Sequence, residues 1–246
     1  MRKALYAIAA VLLSVGTATA QTLTLDQVLA KHYEAIGGLD NWKNVQSYRA
    51  TGRMALMPGT EAPFVMTAKR PLKIRVEFTF QGMAGVQAYD GTTAWMVMPF
   101  MGKVEPEPMP PEMSKDIIEQ GDLDGPLVDY QAEGHTLALV GVADMEGTKT
   151  YQVKVTLKSG DVQQYYLDAE HFVTIKIEGT RTMQGAAVDF EQILSDYKAV
   201  GGLMLPHSIE ARPKGAPSGQ IITIDTVELN IAVDDAIFAM PKAAAK

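Results

Sequence analysis

Four histidines, His32, His135, His171 and His207, are the first places to look for acid–base or metal chemistry. They lie far apart, and none stands in a metal-ligand spacing such as H-E-x-x-H. They therefore read as surface or strand-end residues. Asp122 and Asp124 come nearest to a carboxylate pair. Without a glycine at the turn position and a closing glutamate they do not make a calcium loop, so they read as solvated loop acids. There is no cysteine, which removes disulfides, thiolate nucleophiles, cysteine zinc sites and iron–sulfur clusters. No G-x-S-x-G elbow, phosphate-cradling glycine loop or dinucleotide fingerprint occurs. From these residues no catalytic, metal or cofactor site can be assembled, and the chain is not expected to be an enzyme.

Methionine is the compositional oddity. There are 14, and Met83, Met96, Met98, Met101, Met109 and Met113 crowd together. A flexible, polarizable thioether can fill a core or offer an adaptable apolar surface to ligands of varied shape. Soft sulfur also suits Cu(I), although the lack of clustered histidine weighs against copper. Core and ligand surface both stay open at this level.

The elements that must position these side chains follow from composition and periodicity. The 246 residues are 47% hydrophobic and 21% charged, with a formal net charge of −7. This is the make-up of a folded protein with no basic excess for nucleic acid. Residues 1–20 read as a signal peptide: Arg2 and Lys3, an apolar run over 4–15, then Ala18-Thr19-Ala20. That run is shorter than the about 20 residues a bilayer span needs. Residues 21–246 are expected to form one exported, periplasmic domain. It should be soluble after cleavage and act as a monomer.

Thr24-Leu25-Asp26-Gln27 has the spacing of a capping box, and Gly37-Gly38 ends the helix it opens. From about Val45 the period changes to two. Phe64, Met66 and Ala68 alternate with polar neighbours, as do Ile74, Val76, Phe78 and Phe80. Asp90-Gly91 predicts a tight hairpin, and seven more strands fall between 136 and 229. The segment 102–111 breaks this run, and a helix is predicted over 111–120 with Met113, Ile117 and Ile118 as its apolar stripe. A second short helix is predicted over 126–130. Ten or eleven strands with short turns give a mainly β fold with some α: one curled antiparallel sheet, an unclosed half-barrel.

On the concave side, Phe64, Met66, Ile74, Val76, Phe78 and Phe80 would form an apolar wall, with Met113, Ile117 and Ile118 as its cover. Such a wall offers no acid, base or nucleophile. It can shelter an acyl chain. At about 0.8 kcal/mol per buried methylene, sixteen carbons are worth about 12 kcal/mol before costs.

Three motifs then carry a resemblance. Lys69-Arg70-Pro71 precedes an aromatic-containing strand, Asp90-Gly91-Thr92-Thr93-Ala94-Trp95 is followed by Pro99-Phe100, and Asp234 to Pro241 has the form D-x-x-x-F-x-x-P. Their order and spacing resemble the periplasmic lipoprotein-carrier family, LolA and its relatives. The resemblance implies an unclosed barrel covered by an N-terminal helix and a helical lid, over a cavity for lipoprotein acyl chains or lipid. It implies an inner-membrane donor and an outer-membrane acceptor, and no cofactor. It gives Arg70 the role of a lock that hydrogen-bonds backbone groups of the lid; read alone, Arg70 is equally a strand-end surface charge. Trp95 and Phe100 are expected near the cavity mouth, with Met98 in the lining. The stretch 101–134 departs from the family pattern, which leaves the lid and the cargo open. An envelope sensor of the same fold, acting through protein contacts, is the alternative.

Overall fold

The Thr24 side chain accepts from the Gln27 amide while the Gln27 side chain accepts from the Thr24 amide, which completes the capping box. Helix α1 runs Leu25–Ala35 from that cap and buries Val28, Leu29 and His32. A short helix α2, Leu39–Lys43, follows. The computed structural model describes residues 23–242 apart from 58, 184 and 185. The expected signal peptide lies outside the described residues. Among those described, no helix is long and apolar enough to cross a membrane.

One antiparallel sheet of thirteen strands forms the body. Strands β1 (Ser47–Met57), β2 (Thr60–Lys69), β3 (Lys73–Phe80), β4 (Met83–Tyr89), β5 (Ala94–Met98) and β6 (Lys103–Pro108) meander outward from the middle to one edge. The chain then crosses to the opposite edge through α3 (Pro111–Gln120) and α4 (Tyr130–Glu133). It returns through β7 (Thr136–Met145), β8 (Thr148–Thr156), β9 (Val162–Asp168), β10 (Thr174–Met183), β11 (Ala186–Val200), β12 (Leu203–Pro213) and β13 (Gln220–Leu229). Pairing of β13 with β1 joins the two halves, while β6 and β7 stay unpaired as edges, so the sheet does not close. Because α3 lies on the only connection between the edges, it must cross a face of the sheet. It packs on β3, β4 and β5.

Cross-strand glycine–phenylalanine pairs recur on the inner face. Gly52 stands opposite Phe64, Gly85 opposite Phe78, and Gly179 opposite Phe190. At Gly85 and Gly179 an added Cβ would fall 2.7 Å and 2.9 Å from the partner ring. Only glycine lets the ring lie over the backbone there.

Four expectations about the secondary structure differ from the fold. The segment 102–111 does not simply break the sheet: its middle is β6, where Pro106 and Pro108 are tolerated because the strand is an edge. The ten or eleven expected strands are thirteen, and β1 is among those added, its inward positions including the small Ala50 and Gly52, with the Phe64 ring against Gly52. The Asp90–Gly91 turn is a four-residue connection in which Asp90 Oδ1 accepts from the amides of Thr92 and Thr93. The second short helix begins at Tyr130, four residues later than predicted for its start.

Candidate functional site

The inner face on the β1–β6 side is apolar, as the alternation requires. Ile74 and Val76 pack with Met96, Met98 and Met109 around Ile117 of α3, flanked by Met66, Phe78, Phe100, Met113 and Ile118. Phe64 joins a neighbouring cluster with Ala50 and Ile224. Phe80 meets Phe100 edge-on, with ring centroids 5.5 Å apart. The stripe on α3 therefore lies directly on the wall, and Ile117 is 1% exposed. Met96, Met98 and Met109 are core-filling in this arrangement, whereas Met101 is exposed.

Trp95 is a correction. Its neighbours Ala94 and Met96 face the lid cluster, so alternation turns Trp95 to the outer face. There its indole N–H donates to the Phe238 carbonyl at 2.7 Å, and the Arg75 guanidinium lies over the ring. Trp95 anchors the C-terminal segment on the outer face. Lys69 and Lys73 both reach Asp235, pulling its carboxyl down to about 2, and Arg75 donates to the Ile237 carbonyl. Phe238 is fully buried. The three motifs thus meet on the outer side of β2, β3 and β5.

Arg70 points the other way from Lys69. Its guanidinium binds both carboxylate oxygens of Asp124, at 2.5 and 2.7 Å. It also donates to the carbonyls of Val45 at 2.6 Å and Trp42 at 3.1 Å. Both side chains are largely buried, and the Asp124 hydrogen bond raises the Arg70 pKa. Arg70 thus satisfies backbone carbonyls of the α2 segment, and it reaches the segment after α3 through a carboxylate rather than through lid backbone. Asp124 is accordingly no solvated loop acid. No spacing in the sequence connects it to Arg70, 54 residues away. The two are brought together by the edge-to-edge crossover.

Two of the histidines are also buried. His32 shares a hydrogen bond at 2.7 Å with the Phe172 carbonyl, and burial lowers its pKa. His207 sits beside the Leu205 carbonyl at 3.0 Å. Among the described residues no group of histidine and carboxylate side chains could hold a metal ion.

A cavity of about 900 Å³ lies on the other side of α3. Its floor includes Tyr165, Ile177, Phe190 and Gln192 from β9, β10 and β11, and its lid wall is the charged side of α3. Of the expected wall, cover and lock residues, Arg70 and Ile118 reach it, and Asp122, Asp124 and His135 also line it. Phe64, Met66, Ile74, Val76, Phe78, Phe80, Met98, Phe100, Met113 and Ile117 are not in its lining. Lys115 of α3 is paired across the mouth with Asp161, and Asp116 stands 4.0 Å from Arg181.

Solved structures share this architecture. A domain from Vibrio parahaemolyticus described as an outer membrane lipoprotein-sorting protein is 12% identical, with 86% of this chain and 94% of that one covered at a TM-score of 0.56. A LolA superfamily protein from Nitrosomonas europaea is 15% identical over 88% of this chain and 98% of its own, with a TM-score of 0.57. A DUF1329 family protein from Desulfovibrio piger is 13% identical over 86% and 97%, with a TM-score of 0.59. No family model and no curated protein matches the sequence. What is shared at such identities is the path of the chain, and function must be argued from the site. With its unclosed antiparallel sheet, N-terminal helix and helical lid, this chain has the LolA-like fold.

Proposed function

We propose that the chain is a non-enzymatic periplasmic carrier that shelters the acyl chains of lipids or lipoproteins on the wall beneath α3. The observation that carries this reading is the lid itself. An apolar stripe covers an apolar wall, and a largely buried ion pair, Arg70–Asp124, ties its connection down. Lifting α3 bares methionine and phenylalanine side chains, which adapt to a hydrocarbon chain without any polar group to satisfy. Cargo and lid stripe compete for the same surface, so the closed-lid energy sets the affinity. An inner-membrane donor and an outer-membrane acceptor would supply and withdraw the chains, and the acceptor must hold them more tightly than this wall does.

The test is native followed by denaturing mass spectrometry of the protein purified from a Gram-negative periplasm, with titration of a fluorescent acyl probe. Near one lipid or acylated peptide per chain is the expected result, with faster probe release from Arg70→Leu. A lipid-free protein that also refuses the probe would sink the reading.

A second reading, a module that signals through protein contacts, is favoured by the unequal edges. β6 is short and carries two prolines. β7 is ten residues long and leaves Val140 and Val142 at least half exposed, an open template for another strand. Under that reading Val140→Lys abolishes partner capture and leaves acyl binding unchanged.

A further inference from the structure

The cavity beside α3 has a built floor. Gly179 lets the Phe190 ring lie over the strand, and the Arg181 guanidinium stacks above that ring at 4.4 Å. Arg181 Nε is buried without a hydrogen-bond partner among the described residues, while Nη1 makes a long ion pair with Asp116 at 4.0 Å. A buried donor left in this state needs an acceptor from elsewhere, and the guanidinium fork matches a phosphate. The lid supplies the opposite sign. The Glu119 carboxylate receives no hydrogen bond among the described residues, and it is enclosed enough that desolvation raises its pKa.

The lining holds four Lys and Arg side chains against seven carboxylates. Arg70 and Lys115 are already paired, with Asp124 and Asp161. Beyond those pairs the lining holds Arg181 and Lys158 from the strand side, Glu112, Asp116 and Glu119 on α3, and Asp122 and Glu133 after it, so the remaining charge is mostly acidic. A lone anion would meet the lid carboxylates, and a lone cation would meet Arg181. We infer that this cavity is a headgroup site for a zwitterionic phosphate–amine ligand of the phosphoethanolamine class, with the phosphate at Arg181 and the amine at Glu119. Ile118 borders both the cavity and the apolar wall, so one amphiphile can place its headgroup here and its chain under the lid. This inference rests on the acyl-chain reading and gives that chain its polar end.

The test is calorimetric titration of the mature protein with dihexanoyl phosphatidylethanolamine, dihexanoyl phosphatidylglycerol and free phosphoethanolamine, beside the fluorescent acyl probe. The expected result is about tenfold tighter binding of the ethanolamine lipid than of the glycerol lipid. Glu119→Gln should cut that preference to about twofold, and Arg181→Gln should weaken binding of both lipids about tenfold, while the acyl probe binds as before. Free phosphoethanolamine binding as tightly as the lipid would support the site with a soluble ligand as its source. Equal binding of the two lipids, a preference that survives Glu119→Gln, or lipid affinities that Arg181→Gln leaves unchanged, would overturn the inference. If the probe still binds in that case, the carrier reading stands; if neither lipid nor probe binds, both fall.

Discussion

The two halves of the inner face start from the same device and are finished differently. On the β1–β6 side Gly85 receives the Phe78 ring, and on the β7–β13 side Gly179 receives the Phe190 ring. Over Phe78 the chain lays Phe100 and the apolar stripe of α3, and the space is filled. Over Phe190 it lays Arg181, faces it with the charged side of the same helix, and leaves a cavity. The sheet does not decide which half is dry. The amphipathic helix does, because its stripe can cover only one half.

The filled half is also braced from outside, so its largest vulnerability should lie there. Phe238→Ala removes a fully buried ring from the C-terminal clamp and should cost about 3–5 kcal/mol in urea unfolding. If the loss is below about 1 kcal/mol, the outer brace is irrelevant and the contrast between the halves weakens. Next, Ile117→Ala should cost about 2–4 kcal/mol. Hydrogen exchange should then accelerate across residues 111–120 and 94–98 while β8 and β9 keep their protection. Uniform acceleration would mean that the lid does not open as a unit.

Arg70→Leu leaves Asp124 largely buried with its strongest partner gone, an expected loss of about 1–3 kcal/mol. The double change with Asp124→Leu should cost clearly less than the two single changes added together. Additivity would show that the pair is not the tie. Lys115→Ala breaks an exposed contact across the cavity mouth and should cost under about 1 kcal/mol, disappearing in high salt.

The smallest shift should come with pH. Burial holds the folded pKa of His32 below 6.5, so the unfolded chain binds the extra proton. Its stabilising contribution is complete above pH 6.5 and is lost as pH falls toward the lowered folded value. The urea midpoint should therefore drop between pH 7.5 and pH 5.5, and His32→Asn should flatten that slope.

Much of the fold was legible because it rests on local rules. The capping box at Thr24, proline at the start of α3 and the alternation of β3 and β8 to β13 each bind near neighbours and leave a periodic trace. β1 left little trace because small inward residues serve a ring from the next strand. The candidate site was legible only in its apolar part. The stripe and the wall could be read from spacing, but their contact could equally have been an open cavity.

Residue types and periodicity by themselves determined an antiparallel sheet of short turns and an amphipathic segment between its two runs of strands. Only the tertiary structure decided that this segment crosses the inner face, that its stripe fills one half, and that Trp95 braces the outside. It alone also joined Arg70 to Asp124 and left Arg181 Nε without a hydrogen-bond partner among the described residues. The physical reason is range. Periodicity records which side of its own element a residue faces, whereas a buried charge is settled by whatever partner the topology delivers from far along the chain.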